Sequence, residues 1–229
     1  MARGVFIAGT DTGIGKTYVS CTLLQALRAN GLRATGMKPV ASGCERTRDG
    51  LRNDDALALI AASDPRPDYA TCNPYAFLEP VSPHLAAGVE GVEIQMTHIA
   101  AAYARLAADA NVVVVEGVGG WLAPLSETLN ANAIPQGLRL PVILVVSLKL
   151  GCLNHAQLSA RAILADRCEL LGWIGNRIDP QMTMVEENLD TLRRLLPARC
   201  LGVLEHDADP ARSAVTLQSA IAALIGLSA

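Results

Sequence analysis

The chain has 229 residues, 51% hydrophobic, 18% charged and only 3% aromatic, a composition that excludes a disordered chain and supplies enough apolar surface for one α/β domain spanning residues 1–229. A formal charge of −3, no Lys/Arg block and few rings for base stacking argue against nucleic acid and anionic membrane surfaces as partners. Six scattered cysteines without a CxxC pair, no leader-like segment after Arg3, and no apolar run near the roughly 20 residues of a membrane span predict a soluble, cytoplasmic protein with reduced thiols.

Short runs rich in Val, Ile and Leu alternate with longer segments of helical period. A strand over 4–8 precedes a helix over 16–30, and a strand over 34–40 precedes a helix over 55–62. Residues 63–92 carry Pro65, Pro67, Pro74, Pro80, Pro83, Gly88 and Gly91, so a long loop over one edge of the site is expected there. The remaining strands are expected over 112–115, 141–147, 170–176 and 199–204, with helices over 97–109, 153–166, 185–196 and 211–225. Several of these strands are apolar without alternation, as strands covered on both faces are. The predicted fold is therefore a doubly wound, mostly parallel sheet with helices on both faces and right-handed crossovers.

The first strand runs through Gly9-Thr10-Asp11-Thr12-Gly13-Ile14-Gly15-Lys16-Thr17 into a helix, the context of a phosphate cradle. Glycines let backbone N–H groups turn toward phosphate oxygens, Lys16 supplies a cation to the β/γ region, and Thr17 offers a hydroxyl to Mg²⁺. The first glycine stands at Gly9, one residue earlier than the usual spacing, where Thr10 now lies; a glycine-rich turn alone would leave Gly15-Lys16-Thr17 unexplained. Strand 112–115 ends in Glu116, followed by Gly117-Val118-Gly119-Gly120, and ligands bind at that end of an α/β sheet. A buried acid there is most cheaply held by a metal ion, which makes Glu116 a Mg²⁺ candidate beside the alternative of a solvated strand end. Locally, the Asp residues of Asn53-Asp54-Asp55-Ala56 read as helix N-caps. Lys38, closing the second strand, either points into the same crevice or snorkels along the surface. The histidines His84, His98, His155 and His206 have no metal-ligand spacing, so no zinc site is expected.

Together with Met37-Lys38-Pro39-Val40-Ala41-Ser42-Gly43, Asp54-Asp55-Ala56, Glu79-Pro80-Val81-Ser82-Pro83-His84, Glu116-Gly117-Val118-Gly119-Gly120 and Lys149-Leu150-Gly151-Cys152-Leu153-Asn154-His155, the phosphate loop makes the chain resemble the dethiobiotin synthetase family, with these blocks in that family's order across most of the sequence. The resemblance implies a P-loop NTPase fold and a homodimer. It implies an ATP- and Mg²⁺-dependent ring closure of 7,8-diaminononanoate with CO₂, giving dethiobiotin, ADP and phosphate by way of a carbamate and a carbamic-phosphoric anhydride. By the same resemblance Lys16 and Lys38 are catalytic, and Thr17, Asp55 and Glu116 hold Mg²⁺. Gly13, Ile14, Gly15, Tyr18, Gly117, Val118 and Gly119 surround the nucleotide, Asn176 and Arg177 recognise adenine, and Leu204, Glu205 and His206 form the adenine-side wall. Thr12, Ser42 and Ser82 contact substrate, while Gly151, Cys152, Leu153 and Asn154 offer backbone N–H groups to its carboxylate across the dimer interface. The chain departs from the family at Gly13, where some relatives have an acid, and at Gly202-Val203-Leu204-Glu205-His206, which lacks the usual proline.

The main competing reading is a partitioning-type ATPase switch, but Thr10, Asp11 and Thr12 supply no second lysine in the loop, and residues 211–227, with Arg212, form no cationic stripe for lipid. An amidoligase would need a glutaminase domain for which the chain has no room. A silent nucleotide-binding module is disfavoured by intact Lys16, Thr17, Lys38 and Glu116.

Overall fold

The computed structural model describes residues 2–206, 209 and 213–226. Its strands are β1 (Arg3–Gly9), β2 (Ala34–Met37), β3 (Val40–Ala41), β4 (Glu45–Thr47), β5 (Gly50–Arg52), β6 (Tyr75–Ala76), β7 (Val112–Glu116), β8 (Val142–Ser147), β9 (Leu170–Asn176) and β10 (Cys200–Leu204). Its helices are α1 (Lys16–Ala29), α2 (Asp54–Ala62), α3 (Tyr69–Cys72), α4 (Pro83–Glu90), α5 (Met96–Asp109), α6 (Ala133–Leu138), α7 (Cys152–Ala165), α8 (Val185–Leu195) and, after a 3₁₀ turn at Ala214–Leu217, α9 (Gln218–Gly226).

Six parallel strands form one sheet in the order β10-β9-β8-β1-β7-β2. Alternation along β1 shows why both faces must be covered: Val5 and Ile7 point to one layer, Phe6 and Ala8 to the other, and all four are buried. The Val5 face packs on α1, α2 and α9 through residues such as Leu23, Leu59 and Leu224. The Phe6 face packs on α5, α6, α7 and α8 through residues such as Ile99, Ile134, Ile163 and Leu189. This is the doubly wound architecture expected from the sequence, with β1 at the centre of the sheet and its carboxyl end opening between β7 and β8.

The expected strand over 34–40 is interrupted. β2 stops at Met37, and Val40–Ala41 pairs with β6 in a separate two-stranded sheet. Pro39 has no N–H to continue the ladder, and the Lys38 N–H goes instead to the Cys72 carbonyl at 2.8 Å. Residues 63–92, expected as loop, contain α3, β6 and α4. Proline there sets boundaries: Pro83 opens α4 at its first position, where a missing N–H costs nothing. The hairpin β4–β5 and the short α6 carry no periodic apolar signal and are not expected from the sequence. Of the expected final helix, residues 211 and 212 lie outside the described residues, and its first turn is 3₁₀.

Candidate functional site

Parallel register brings three chain segments to one end of the sheet: Ile7 pairs with Glu116 and Met37 with Val115, so the phosphate loop, the Glu116 carboxylate and Lys38 emerge side by side. The loop ends on Gly15, whose φ of 79° and ψ of 32° suit glycine, and Lys16 begins α1. A Cβ on Gly15 would strike the Asn176 amide, so the close approach of β9 to the loop also demands glycine. The Asn176 Nδ2 donates to the Ile14 carbonyl at 2.9 Å. Lys16 folds back over the loop, its Nζ donating to the carbonyls of Asp11 and Gly119, each at 2.8 Å. Burial, helped by repulsion from Lys38, lowers its pKa to about 8.

Beneath the loop, Lys38 is only 4% exposed, and its Nζ donates to Glu116 Oε1 at 2.6 Å and Asp55 Oδ2 at 2.7 Å. Burial lowers its pKa, but the nearby Glu116 and Asp55 carboxylates outweigh that and raise it. Conversely, desolvation pushes the Asp55 pKa up, and attraction and hydrogen bonding from Lys38, with a hydrogen bond from Thr17, bring it below the ordinary value. The Thr17 hydroxyl lies 2.7 Å from Asp55 Oδ1 and 2.9 Å from Glu116 Oε1, so its single proton serves one carboxylate at a time. Lys38 thus points into the crevice instead of lying on the surface. Asp55 is not the helix cap either: Asn53 is, with its Oδ1 accepting from the Ala56 N–H at 3.2 Å, which leaves the Asp55 carboxylate to turn toward Thr17 and Lys38.

The donor set fits Mg²⁺. Glu116 is fully buried, yet its Oε2 has no hydrogen-bond partner, and with the Thr17 hydroxyl and Asp55 it offers hard oxygen ligands.

A cavity of about 400 Å³ opens over these groups. From the sequence-derived set it collects Thr12, Gly13, Ile14, Gly15, Lys16 and Thr17 from the loop, then Lys38, Ser42, Asp55, Glu116, Val118 and Gly119; Ala41 and Asn53, given no site role from the sequence, join them. A neighbouring cavity of about 220 Å³ is lined by Gly13, Gly15, Tyr18, Asn176, Arg177, Glu205 and His206, with Ile178 added. Arg177 donates to Glu205 Oε2 at 2.9 Å, pinning that wall. Leu204 is buried and lines neither cavity, but its carbonyl accepts the Arg177 N–H at 2.9 Å. Gly117 contributes a carbonyl 3.4 Å from Lys38 Nζ and packs against Phe6, without lining either cavity.

Ser82 and the 151–154 segment are not brought to either cavity within one chain. Ser82 is half-buried at the start of α4, its Oγ 3.1 Å from His84 Nδ1. The Cys152 side chain is buried in the apolar layer, and the N–H groups of Cys152 and Asn154 bond the Lys149 and Gly151 carbonyls at 3.0 and 3.1 Å.

A family model described as an AAA domain matches residues 3–213. Two solved structures share the fold at a TM-score of 0.60: the MinC:MinD cell division protein complex of Aquifex aeolicus, 13% identical and covering 100% of this chain and 98% of that one, and the septum site-determining protein MinD of Pyrococcus horikoshii complexed with Mg-ADP, 14% identical and covering 99% and 98%. At such identity the likeness concerns architecture alone. The ATP-dependent dethiobiotin synthetase BioD of Xanthomonas euvesicatoria pv. vesicatoria is 57% identical over 215 residues, 93% of this chain and 96% of the relative. That of Xylella fastidiosa (strain 9a5c) is 55% identical over 201 residues, 88% and 89% of the two chains. With identity of this order along nearly the full length of both partners, the chain belongs to the ATP-dependent dethiobiotin synthetase family.

Proposed function

We propose that this protein is a cytoplasmic ligase of biotin biosynthesis that closes the ureido ring of dethiobiotin from 7,8-diaminononanoate, CO₂ and ATP. The observation that carries this reading is the buried Lys38 ammonium, held between Asp55 and Glu116 at the floor of the phosphate-loop cavity. A switch ATPase needs phosphate ligands, whereas a second fixed cation opposite Lys16 suits a reaction in which two anions, a carbamate and a triphosphate, must meet.

One substrate amine adds to CO₂ and loses a proton, giving a carbamate. A carbamate oxygen then attacks the γ-phosphorus, and ADP leaves with the electrons of the broken P–O bond. The second amine attacks the carbonyl carbon of the resulting anhydride, the C–O bond to phosphate breaks, and loss of the amine proton completes the cyclic urea. Positioning and charge neutralisation supply the acceleration in such transfers. In this reading Lys38, which lines the cavity, neutralises the attacking carbamate oxygen and the migrating phosphoryl group. Lys16 must give up its contacts to the Asp11 and Gly119 carbonyls to reach the β- and γ-phosphates. Thr17, Asp55 and Glu116 would hold Mg²⁺, which would neutralise phosphate oxygens. Ser42 offers a hydroxyl near the reacting nitrogens. In the second cavity Asn176 already spends one Nδ2 hydrogen on Ile14, which leaves its Oδ1 and the other hydrogen for the paired donor and acceptor edge of adenine.

The reading extends to a homodimer in which Ser82 and the N-terminal end of α7 serve a partner's substrate. Its support is exposed apolar surface on those elements: Leu150 is 97% exposed, Val89 73% and Leu85 54%. Phosphate release from Mg·ATP and bicarbonate, measured with and without 7,8-diaminononanoate and with the organic product identified by mass spectrometry, tests the assignment. Diamine-dependent release with dethiobiotin formed is expected; diamine-independent hydrolysis, or none, would transfer the weight to an ATP switch or a silent nucleotide-binding module.

A further inference from the structure

The Lys38–Asp55 ion pair joins two backbones that are linked in sequence mainly through the exposed hairpin β4–β5, so something else must fix their separation. Besides the direct packing of α2 on β2, two side chains of the proline-rich segment bridge them. The Asn73 Nδ2 donates to the Lys38 carbonyl at 2.7 Å and, at 3.1 Å, to that of Tyr75. The Asn73 Oδ1 accepts from the Tyr69 hydroxyl at 2.9 Å, and that hydroxyl oxygen accepts the Asn53 N–H at 2.8 Å. Asn53 caps the helix on which Asp55 stands. The chain of bonds therefore runs from the peptide carrying Lys38, through Asn73 and Tyr69, to the peptide that starts the helix carrying Asp55. Asn73 is 3% exposed, so that end of the bridge is shielded from water, while Tyr69 is half-buried with the Arg52 guanidinium 4.2 Å over its ring. The Cys72 carbonyl grips the Lys38 N–H as well, so both sides of that lysine's backbone are held by the turn ending α3.

We propose that Tyr69 and Asn73 are positioning residues that set the distance between the Lys38 ammonium and the Asp55 carboxylate; the inference deepens the reading of this site as the ring-closing centre. Neither side chain lines the catalytic cavity, and each acts through Lys38 and Asn53. A misplacement of about 1 Å in a preorganised site costs on the order of a hundredfold in rate, so partial loosening by removal of one bridge member should lower kcat on the order of tenfold. The phosphate loop is untouched, and KM for ATP should stay within about twofold.

The test compares Tyr69→Phe, which keeps the ring and its Arg52 contact but loses the hydroxyl, with Asn73→Ala, the double variant, and Thr71→Ala, which loses a bond to Asp68 in the same turn without touching the bridge. Expected are kcat losses for Tyr69→Phe and Asn73→Ala, a double variant little worse than the poorer single one, and near-normal kcat for Thr71→Ala. Amide hydrogen exchange gives a readout independent of the reaction: the Asn53 N–H should exchange faster in Tyr69→Phe than in the parent. Full kcat in both single variants, or a Thr71→Ala loss equal to theirs, would overturn the proposal. A parent protein without diamine-dependent phosphate release would instead defeat the functional reading, and the exchange result would still decide whether the bridge holds the two backbones.

Discussion

Two carboxylates converging on one buried ammonium tie Lys38 into the fold, and the proposed chemistry uses the same charge. Removing one partner of a buried ion pair leaves uncompensated charge and costs about 3–5 kcal/mol. Lys38→Ala should therefore lower stability by several kcal/mol in urea denaturation, keep ATP binding through the intact phosphate loop, and abolish turnover. Lys16→Ala should weaken ATP binding and turnover together, as equilibrium binding and steady-state rates can show. Lys16 also carries a pH signature. The unfolded chain keeps this proton up to the ordinary 10.5, whereas the folded, nucleotide-free chain releases it at about 8, so between those values the unfolded state binds more protons and the residue's contribution to stability rises with pH. Triphosphate favours the charged form, so ATP binding near pH 8–9 should draw a proton from solution. Calorimetry in buffers of different ionisation enthalpy would reveal it, and uptake that persists in Lys16→Met would refute the assignment.

Among elements, the phosphate loop is the one whose form is dictated from both directions. Its glycines fix the turn, and the neighbouring strand end fixes how closely that turn may be approached. Gly15→Ala would meet both a left-handed backbone and the Asn176 amide, so ATP affinity should drop by at least tenfold, visible in equilibrium binding, while the thermal midpoint of unfolding falls only modestly. The loop, α1 and the buried strands were legible in the chain because periodicity and glycine spacing report local backbone demands. Residues 63–92 were not: their prolines suggest irregular structure, whereas Pro83 marks where α4 begins. Asp55 was likewise hidden by its neighbour, since either Asn53 or an Asp could cap α2, and only the fold shows that Asn53 does.

In the whole molecule, covering both faces of the sheet leaves α4 and the start of α7 with apolar side chains facing outward. If these meet a second copy, Leu150→Glu should shift sedimentation from dimer toward monomer and raise KM for the diamine more than KM for ATP. Retained dimer with unchanged kinetics would contradict the proposed interface. By itself the sequence determined the α/β alternation and the glycine-rich loop that closes on Lys16 and Thr17 at the start of α1, because each depends on residues adjacent in the chain. The tertiary structure alone decided that Lys38 is buried rather than snorkelling, that it is shared by Asp55 and Glu116, and that Tyr69 and Asn73 stand behind it. Those relations join residues that strand register and helix packing bring together, and a choice between a solvated and a buried charge rests on what the rest of the chain places around it.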